Sequence, residues 1–176
     1  MPRRRLGVAV LVPPPLAREI DGLRRGCGDR SFDRVPPHLT LVPPVNVRVE
    51  RFSEALTLLD EAAAAVEPFT LELGPPASFL PDGPTLYLEV GGDRASLEKL
   101  RARVFRPPLE RPLRWDYVPH VTLADEIEPG RIEAAVTALA DYRAELVVER
   151  VDLLEETVHG DGHRRWASVA DARLGG

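Results

Sequence analysis

Three observations predict an α+β fold with two lobes related by a pseudo-twofold axis. Segments with the two-residue period of strands and segments with helical periodicity follow one another along all 176 residues. The pattern Pro-His-aliphatic-Thr-Leu occurs twice, as Pro37-His38-Leu39-Thr40-Leu41 and as Pro119-His120-Val121-Thr122-Leu123, once in each half of the chain. After each copy come a helix, a strand, a turn and a return strand, with Tyr87 in the first return strand and Trp166 in the second. Two such units, beginning near residue 36 and near residue 118, give a single two-lobed domain over residues 1–176. An axis between the units sets the two motif strands side by side.

The elements follow in order. Arg5 to Val12 reads as a strand. Leu16, Ile20 and Leu23 form one helical stripe just after a proline run, and Gly26 and Gly28 end it. Ser31 to Pro37 is a loop into the first motif strand, and Pro43-Pro44 is expected to stop that strand. Phe52, Ala55, Leu56, Leu59, Ala62, Ala63 and Val66 make an apolar stripe between Glu50 and Glu67, which predicts a helix closed by Pro68. Phe69 to Leu73 alternates as a strand, and Gly74-Pro75-Pro76 breaks or kinks it. Pro81-Asp82-Gly83-Pro84 is a turn, and Thr85 to Val90 returns. Asp93 caps a helix running to about Val104. The prolines at 107, 108 and 112 make Arg106 to Tyr117 a surface loop. Beyond the second motif strand, Pro129 opens a helix and Glu145 to Thr157 reads as a long strand, regular or bulged. Gly160-Asp161-Gly162 then turns a hairpin into Arg165 to Ala172.

The repeated motif carries the chemistry. On a strand, His and Thr two residues apart point to one face, and the flanking aliphatic residues point to the other. A single His-x-Thr usually marks a half-exposed strand. Duplication of the whole pattern in a chain with only four histidines indicates a built site. If the copies face each other, His38, His120, Thr40 and Thr122 bring two imidazoles and two hydroxyls to one cleft. That equipment suits two proton transfers on a charged tetrahedral group, because imidazole titrates near neutrality and hydroxyls can donate to phosphate oxygens.

Composition narrows the partners. The net charge of −5 argues against an extended nucleic-acid-binding surface. Basic residues nevertheless gather before each motif, at Arg24, Arg25, Arg30 and Arg34, and at Lys99, Arg101, Arg103, Arg106, Arg111 and Arg114. They form either solvated faces or an anion funnel to the histidines. Arg34 and Arg114 are candidate substrate-binding residues on the second reading. Tyr87, Trp115, Tyr117 and Trp166 are candidates for stacking on a base, or for packing in the core or at its rim. Cys27 is alone, so no internal disulfide forms; it lies between Gly26 and Gly28 with no base beside it, which suits a structural thiol better than a nucleophile. His159 and His163 have a metal-ligand spacing but flank a hairpin turn and lack partner cysteines, so no metal site is expected. No cofactor is implied. The apolar run Leu6 to Val12 is too short for a signal segment or a membrane span, and the cytoplasm is the expected compartment. The sequence carries no signal for the oligomeric state.

On the paired His-x-Thr motifs, the helix after each, and the terminal hairpin with an aromatic residue near its return, the chain resembles the 2H phosphoesterase superfamily. That superfamily includes 2′-5′ RNA ligase-like proteins and RNA 2′,3′-cyclic phosphodiesterases. The resemblance covers nearly the whole chain. It implies a bilobal fold in which each lobe is an antiparallel sheet with helices outside and a central cleft holds both motifs. It also implies catalytic or phosphate-binding roles for His38, Thr40, His120 and Thr122. The implied substrate is a small cyclic phosphate, a nucleotide or an RNA end, hydrolysed or reversibly ligated without a metal. The chain departs from the family's usual pattern after the motifs, where Val42-Pro43-Pro44 and Ala124-Asp125-Glu126 stand in place of basic residues. The expectation from residues and resemblance together is a cyclic phosphodiesterase. The alternative is a phosphate- or nucleotide-binding module of the same fold without turnover.

Overall fold

The structure, a computed structural model, describes every residue from Met1 to Gly176. Its elements run β1 (Arg3–Leu11), α1 (Leu16–Cys27), β2 (His38–Arg48), α2 (Phe52–Ala64), β3 (Phe69–Ser78), β4 (Thr85–Gly92), α3 (Arg94–Val104), β5 (His120–Asp125), α4 (Pro129–Ala138), β6 (Ala144–Val148), β7 (Arg150–Val158) and β8 (Arg164–Arg173). The strands form one sheet in the order β6-β3-β4-β5-β2-β1-β7-β8, with every neighbouring pair antiparallel. Each lobe contributes four strands. Within the sheet the two halves pair only where Leu39 of β2 faces Val121 of β5, so the motif strands form the seam.

Helices cover one face of this sheet. α1 packs on β5 and α4 on β3 and β4 in one lobe, while α2 packs on β7 and β8 and α3 on β2 in the other. α1 connects β1 to β2 yet packs on the opposite lobe, and α3, which connects β4 to β5, does the same in return. The crossing locks the lobes together. The core lies between sheet and helices and takes in Leu39, Leu41, Val121 and Leu123, all fully buried. The helix ends follow local chemistry. Gly28 closes α1 in the left-handed region at φ 83°, and the Asp93 side chain accepts from the Ser96 amide at 3.0 Å to start α3.

Two boundaries differ from the sequence reading, and at Gly74-Pro75-Pro76 the kink rather than the break is found. Pro43-Pro44 does not end β2, because the register against β1 shifts between Leu6 and Val8 and spares the two prolines any need to donate. Gly74-Pro75-Pro76 is likewise absorbed within β3, at the register shift between Leu73 and Pro76. The expected long strand from Glu145 to Thr157 is two strands interrupted at Glu149. β6 pairs with β3 in one lobe, and β7 pairs with β1 in the other. No helix is long and apolar enough to cross a membrane.

Candidate active site

The seam fixes the site's geometry. With Leu39 opposite Val121 in an antiparallel pair, the register sets His38 opposite Thr122 and Thr40 opposite His120. All four lie on the face away from the buried aliphatic residues, and all four are half-buried. Directly opposed residues on one face of an antiparallel pair stand about 4.5–5.5 Å apart at Cβ. Each histidine therefore has a threonine beside it on its own strand and another across the seam.

Both imidazoles are held in the same way. His38 Nδ1 lies 2.8 Å from the Pro36 carbonyl oxygen, and His120 Nδ1 lies 2.7 Å from that of Val118. A carbonyl only accepts, so each Nδ1 carries the proton, and neither Nε2 has a hydrogen-bond partner within the protein. The residue before a proline is held extended, which directs its carbonyl back at the ring. The prolines at 37 and 119 are thus part of the site, and their position immediately before each histidine is the sequence signal for it.

The electrostatics of the two rings differ. Burial pushes His38 below its ordinary value, and the positive charges of Arg24 and His120 push the same way against the Pro36 bond. Burial also lowers His120, but the Val118 bond and the Asp125 carboxylate oppose it. Asp125 is itself held by the Thr85 hydroxyl at 2.6 Å and the Glu126 amide at 3.0 Å.

The surroundings differ too. His120 opens onto a cleft of about 570 Å³ whose wall includes Thr40, Phe79, Arg101, Trp115 and Tyr117. Phe79 meets the His120 ring edge-on at 5.1 Å, and Tyr87 meets it at 5.4 Å while stacking on Phe79 at 4.3 Å. Trp115 is 77% exposed at the mouth of the cleft. The Tyr117 hydroxyl donates to the Thr40 carbonyl at 2.8 Å, and burial holds its phenol well above the usual range. His38 instead faces a cavity of about 140 Å³, bounded by Gly7, Ala9, Leu154 and Trp166, and Thr40 lines both spaces.

The basic segments divide. Arg24 is not part of any funnel. It is 3% exposed and donates to Asp21, Asp29 and the carbonyls of Ser31 and Val35, which pins the loop leading into His38. Arg25 lies over Phe32, and Arg111 donates to the Pro44 carbonyl. Arg34 reaches the terminal hairpin rather than the large cleft. Arg114 lines a shallower recess beside it with Arg101 and Trp115. Arg101 is the cation of the cleft itself. Its guanidinium sits 3.9 Å over the Tyr117 ring and 4.7 Å over Phe105, and its Nε is buried without a hydrogen-bond partner. Sequence reading counted Arg101 only as one of a basic run, and it missed Phe79 altogether. Nothing local distinguishes either from a packing residue. His159 and His163 close the terminal turn, where the His159 amide donates to the His163 carbonyl. Nowhere do three or more His, Cys, Asp or Glu side chains gather in a metal-holding arrangement.

A sheet seam presenting two His-x-Thr pairs beside a cleft of about 570 Å³ defines a class of protein, the two-histidine phosphoesterases. The model of the 2′-5′ RNA ligase superfamily matches residues 12–160, and the chain belongs to that superfamily. It is 25% identical over 171 residues to BH1439 of Halalkalibacterium halodurans, covering 96% of each chain. It is 30% identical over 153 residues to a Bacillus pumilus protein, covering 86% of this chain and 89% of the other. The names of both relatives place them among phosphoesterases and specify no substrate. Among solved structures, Escherichia coli LigT complexed with 3′-AMP superposes with a TM-score of 0.70 at 18% identity, over 98% of this chain and 99% of that one. LigT has also been solved with phosphate, ATP and NADP+.

Proposed function

We propose that this protein hydrolyses a cyclic phosphodiester at the end of a nucleotide or RNA by two-histidine general acid–base catalysis. The observation that carries this reading is the matched pair of imidazoles, each with Nδ1 bound to a carbonyl and Nε2 free, flanked by two hydroxyls on one face. The capture of nucleotides and phosphate by LigT supports a nucleotide-like ligand.

The step balances as follows. One neutral imidazole takes a proton from water at Nε2 as the water oxygen bonds to phosphorus. The bond from phosphorus to one ring ester oxygen breaks, and the second, protonated imidazole gives its proton to that leaving oxygen. The product is a phosphomonoester, and the two rings have exchanged protonation states. Thr40 and Thr122 donate to the non-bridging oxygens as charge builds there. His38, flanked by positive charge, is assigned as the base. His120, with Asp125 favouring its charged form, is assigned as the acid. The cleft beside His120 takes the nucleoside, with Trp115 and Tyr117 as its aromatic wall and Arg101 as its free cation. Run backwards, the same exchange joins an alcohol to the phosphate, which is ligation.

The test is turnover of 2′,3′-cyclic mononucleotides and of short RNAs ending in a 2′,3′-cyclic phosphate, with and without a chelator. Chelator-resistant conversion to a phosphomonoester is expected. Binding of these compounds without turnover would replace the enzyme by the binding module.

A further inference from the structure

On the His38 side the open face of the sheet continues well past the quartet. Register maps it out. Thr40 faces Ala9 of β1, Gly7 faces Leu154 of β7, and Glu156 of β7 faces Trp166 of β8. Trp166 lines the cavity that holds His38 and Thr40. Gly7 lies beside it: a Cβ there would meet the indole at an ordinary contact distance of 3.7 Å, and the tight approach is to the Val42 carbonyl oxygen at 3.2 Å.

Beyond the indole, three arginines from three separate segments meet one carboxylate. Arg5 Nε of β1 lies 3.1 Å from Glu156, Arg164 Nη1 of β8 lies 3.0 Å away, and Arg34 Nη2 from the loop before β2 lies 4.0 Å away. Arg34 Nε also reaches the Arg164 carbonyl at 3.4 Å. The Glu156 side chain is 9% exposed, while those of the three arginines are 40%, 51% and 59% exposed. A single guanidinium can occupy both oxygens of a carboxylate, so three leave a surplus of positive charge and of N–H donors facing solvent. The surplus stands out in a chain of net charge −5. Arg5 is four residues along β1 from Ala9, which puts the cluster roughly 13 Å from Thr40. That is too far to touch the group being cleaved and within reach of a phosphate about two steps along an extended strand.

We infer that Arg5, Arg34 and Arg164 form a second anion subsite, which holds a substrate phosphate other than the scissile one, with Trp166 as the surface the intervening nucleotide lies against. The inference rests on the proposed function and specifies its substrate class: a short oligonucleotide end rather than a mononucleotide. Glu156 orients the arginines and offsets part of their charge in the empty site.

The experiment compares kcat/KM for a trinucleotide and a mononucleotide, each ending in a 2′,3′-cyclic phosphate. It is paired with anisotropy measurements of a labelled trinucleotide ending in a 3′-phosphate, read across a salt series. Wild type is expected to favour the trinucleotide about tenfold or more, the worth of one charge-assisted contact. In R34Q/R164Q the preference should fall to near unity, and the salt slope of binding should drop by about 0.7 per lost contact. E156Q should bind the labelled trinucleotide more tightly than wild type, because the arginines lose their internal competitor; a network that only braces the hairpin would show no gain. Equal losses on both substrates in R34Q/R164Q, or an unchanged salt slope, would overturn the subsite. If wild type turns over neither substrate, the catalytic reading fails, and the salt slopes still decide the subsite.

Discussion

The His38 and His120 halves of the seam have the same chemistry in unlike settings. In both, a prolyl peptide directs a carbonyl to Nδ1 and a threonine stands two residues on. Around His120 the setting is aromatic and roomy, with Phe79 and Tyr87 against the ring and a carboxylate nearby. Around His38 it is tight, with the clamped Arg24 behind the loop and a small cavity in front. On the proposed mechanism the shared features would fix tautomer and aim for both proton transfers. The unshared ones, Arg24 behind His38 and Asp125 near His120, act on the two rings in opposite directions, as a base and an acid would require.

The bluntest way to break the comparison is to remove a ring. His38→Ala and His120→Ala should each lower kcat on a cyclic phosphodiester by about 10²–10⁴-fold. The double variant should lose far less than the product of the single losses, since neither ring works without the other. Full activity in either single variant would end the two-histidine mechanism. Thr40→Val and Thr122→Val come next, at about 10²-fold in kcat, the value of one transition-state hydrogen bond. Because each threonine lies opposite the other strand's histidine, the two losses should be similar. A large loss at one threonine and none at the other would mean that the phosphate sits within one half rather than across the seam.

The parts legible in sequence were those governed by a period or a local signal. The His-x-Thr face, the buried aliphatic residues behind it and the Asp93 cap all follow from spacing within a few residues. Pro43-Pro44 misled because whether a proline interrupts a strand depends on the partner's register, and the bulge opposite it is a property of β1 and β2 together. The break at Glu149 was hidden because the residues on either side of it both form strand; only their partners differ, β3 for β6 and β1 for β7. Arg24 looked like an exposed cation because its four acceptors come from both sides of a turn that has no sequence period. The Glu156 cluster draws on positions 5, 34 and 164, and only the assembled sheet brings them to one place.

Asp125 offers a way to sharpen the comparison without removing a catalytic group. Its carboxylate favours the charged form of His120. In Asp125→Asn that support is gone, so the proton of the acid is held less firmly and the alkaline limb of the kcat/KM profile should move to lower pH. The acid limb, governed mainly by His38, should move less. Because the rings are coupled, the measured limbs belong to the pair, and the expected result is a narrowed bell rather than a rigid shift. A bell that moves as a whole would assign Asp125 to both rings. An unmoved bell would leave the asymmetry between the rings without its carboxylate.

The smallest expected effect concerns stability and belongs to the His38 half alone. Asp152 of β7 is 1% exposed and lies opposite Asp171. The Ser168 hydroxyl satisfies one of its oxygens at 2.8 Å, and the other has no hydrogen-bond partner, with Arg150 Nε at 3.5 Å. Burial raises its carboxyl above the ordinary range, and neither the Ser168 bond nor Arg150 offsets this fully. A raised acid binds its proton more tightly folded than unfolded. Its contribution therefore favours the folded state below the unfolded carboxylate value of about 3.9 and is lost as pH rises through the folded value. At neutral pH the ionised Asp152 is a liability, so Asp152→Asn, which can still accept from Ser168, should raise stability by about 1 kcal/mol. Urea unfolding of wild type and variant between pH 4 and pH 8 checks this. The two stabilities should converge toward the acid end and separate toward the neutral end. A constant gap across that range would mean that the substitution acts through packing, and that Asp152 carries no proton linkage.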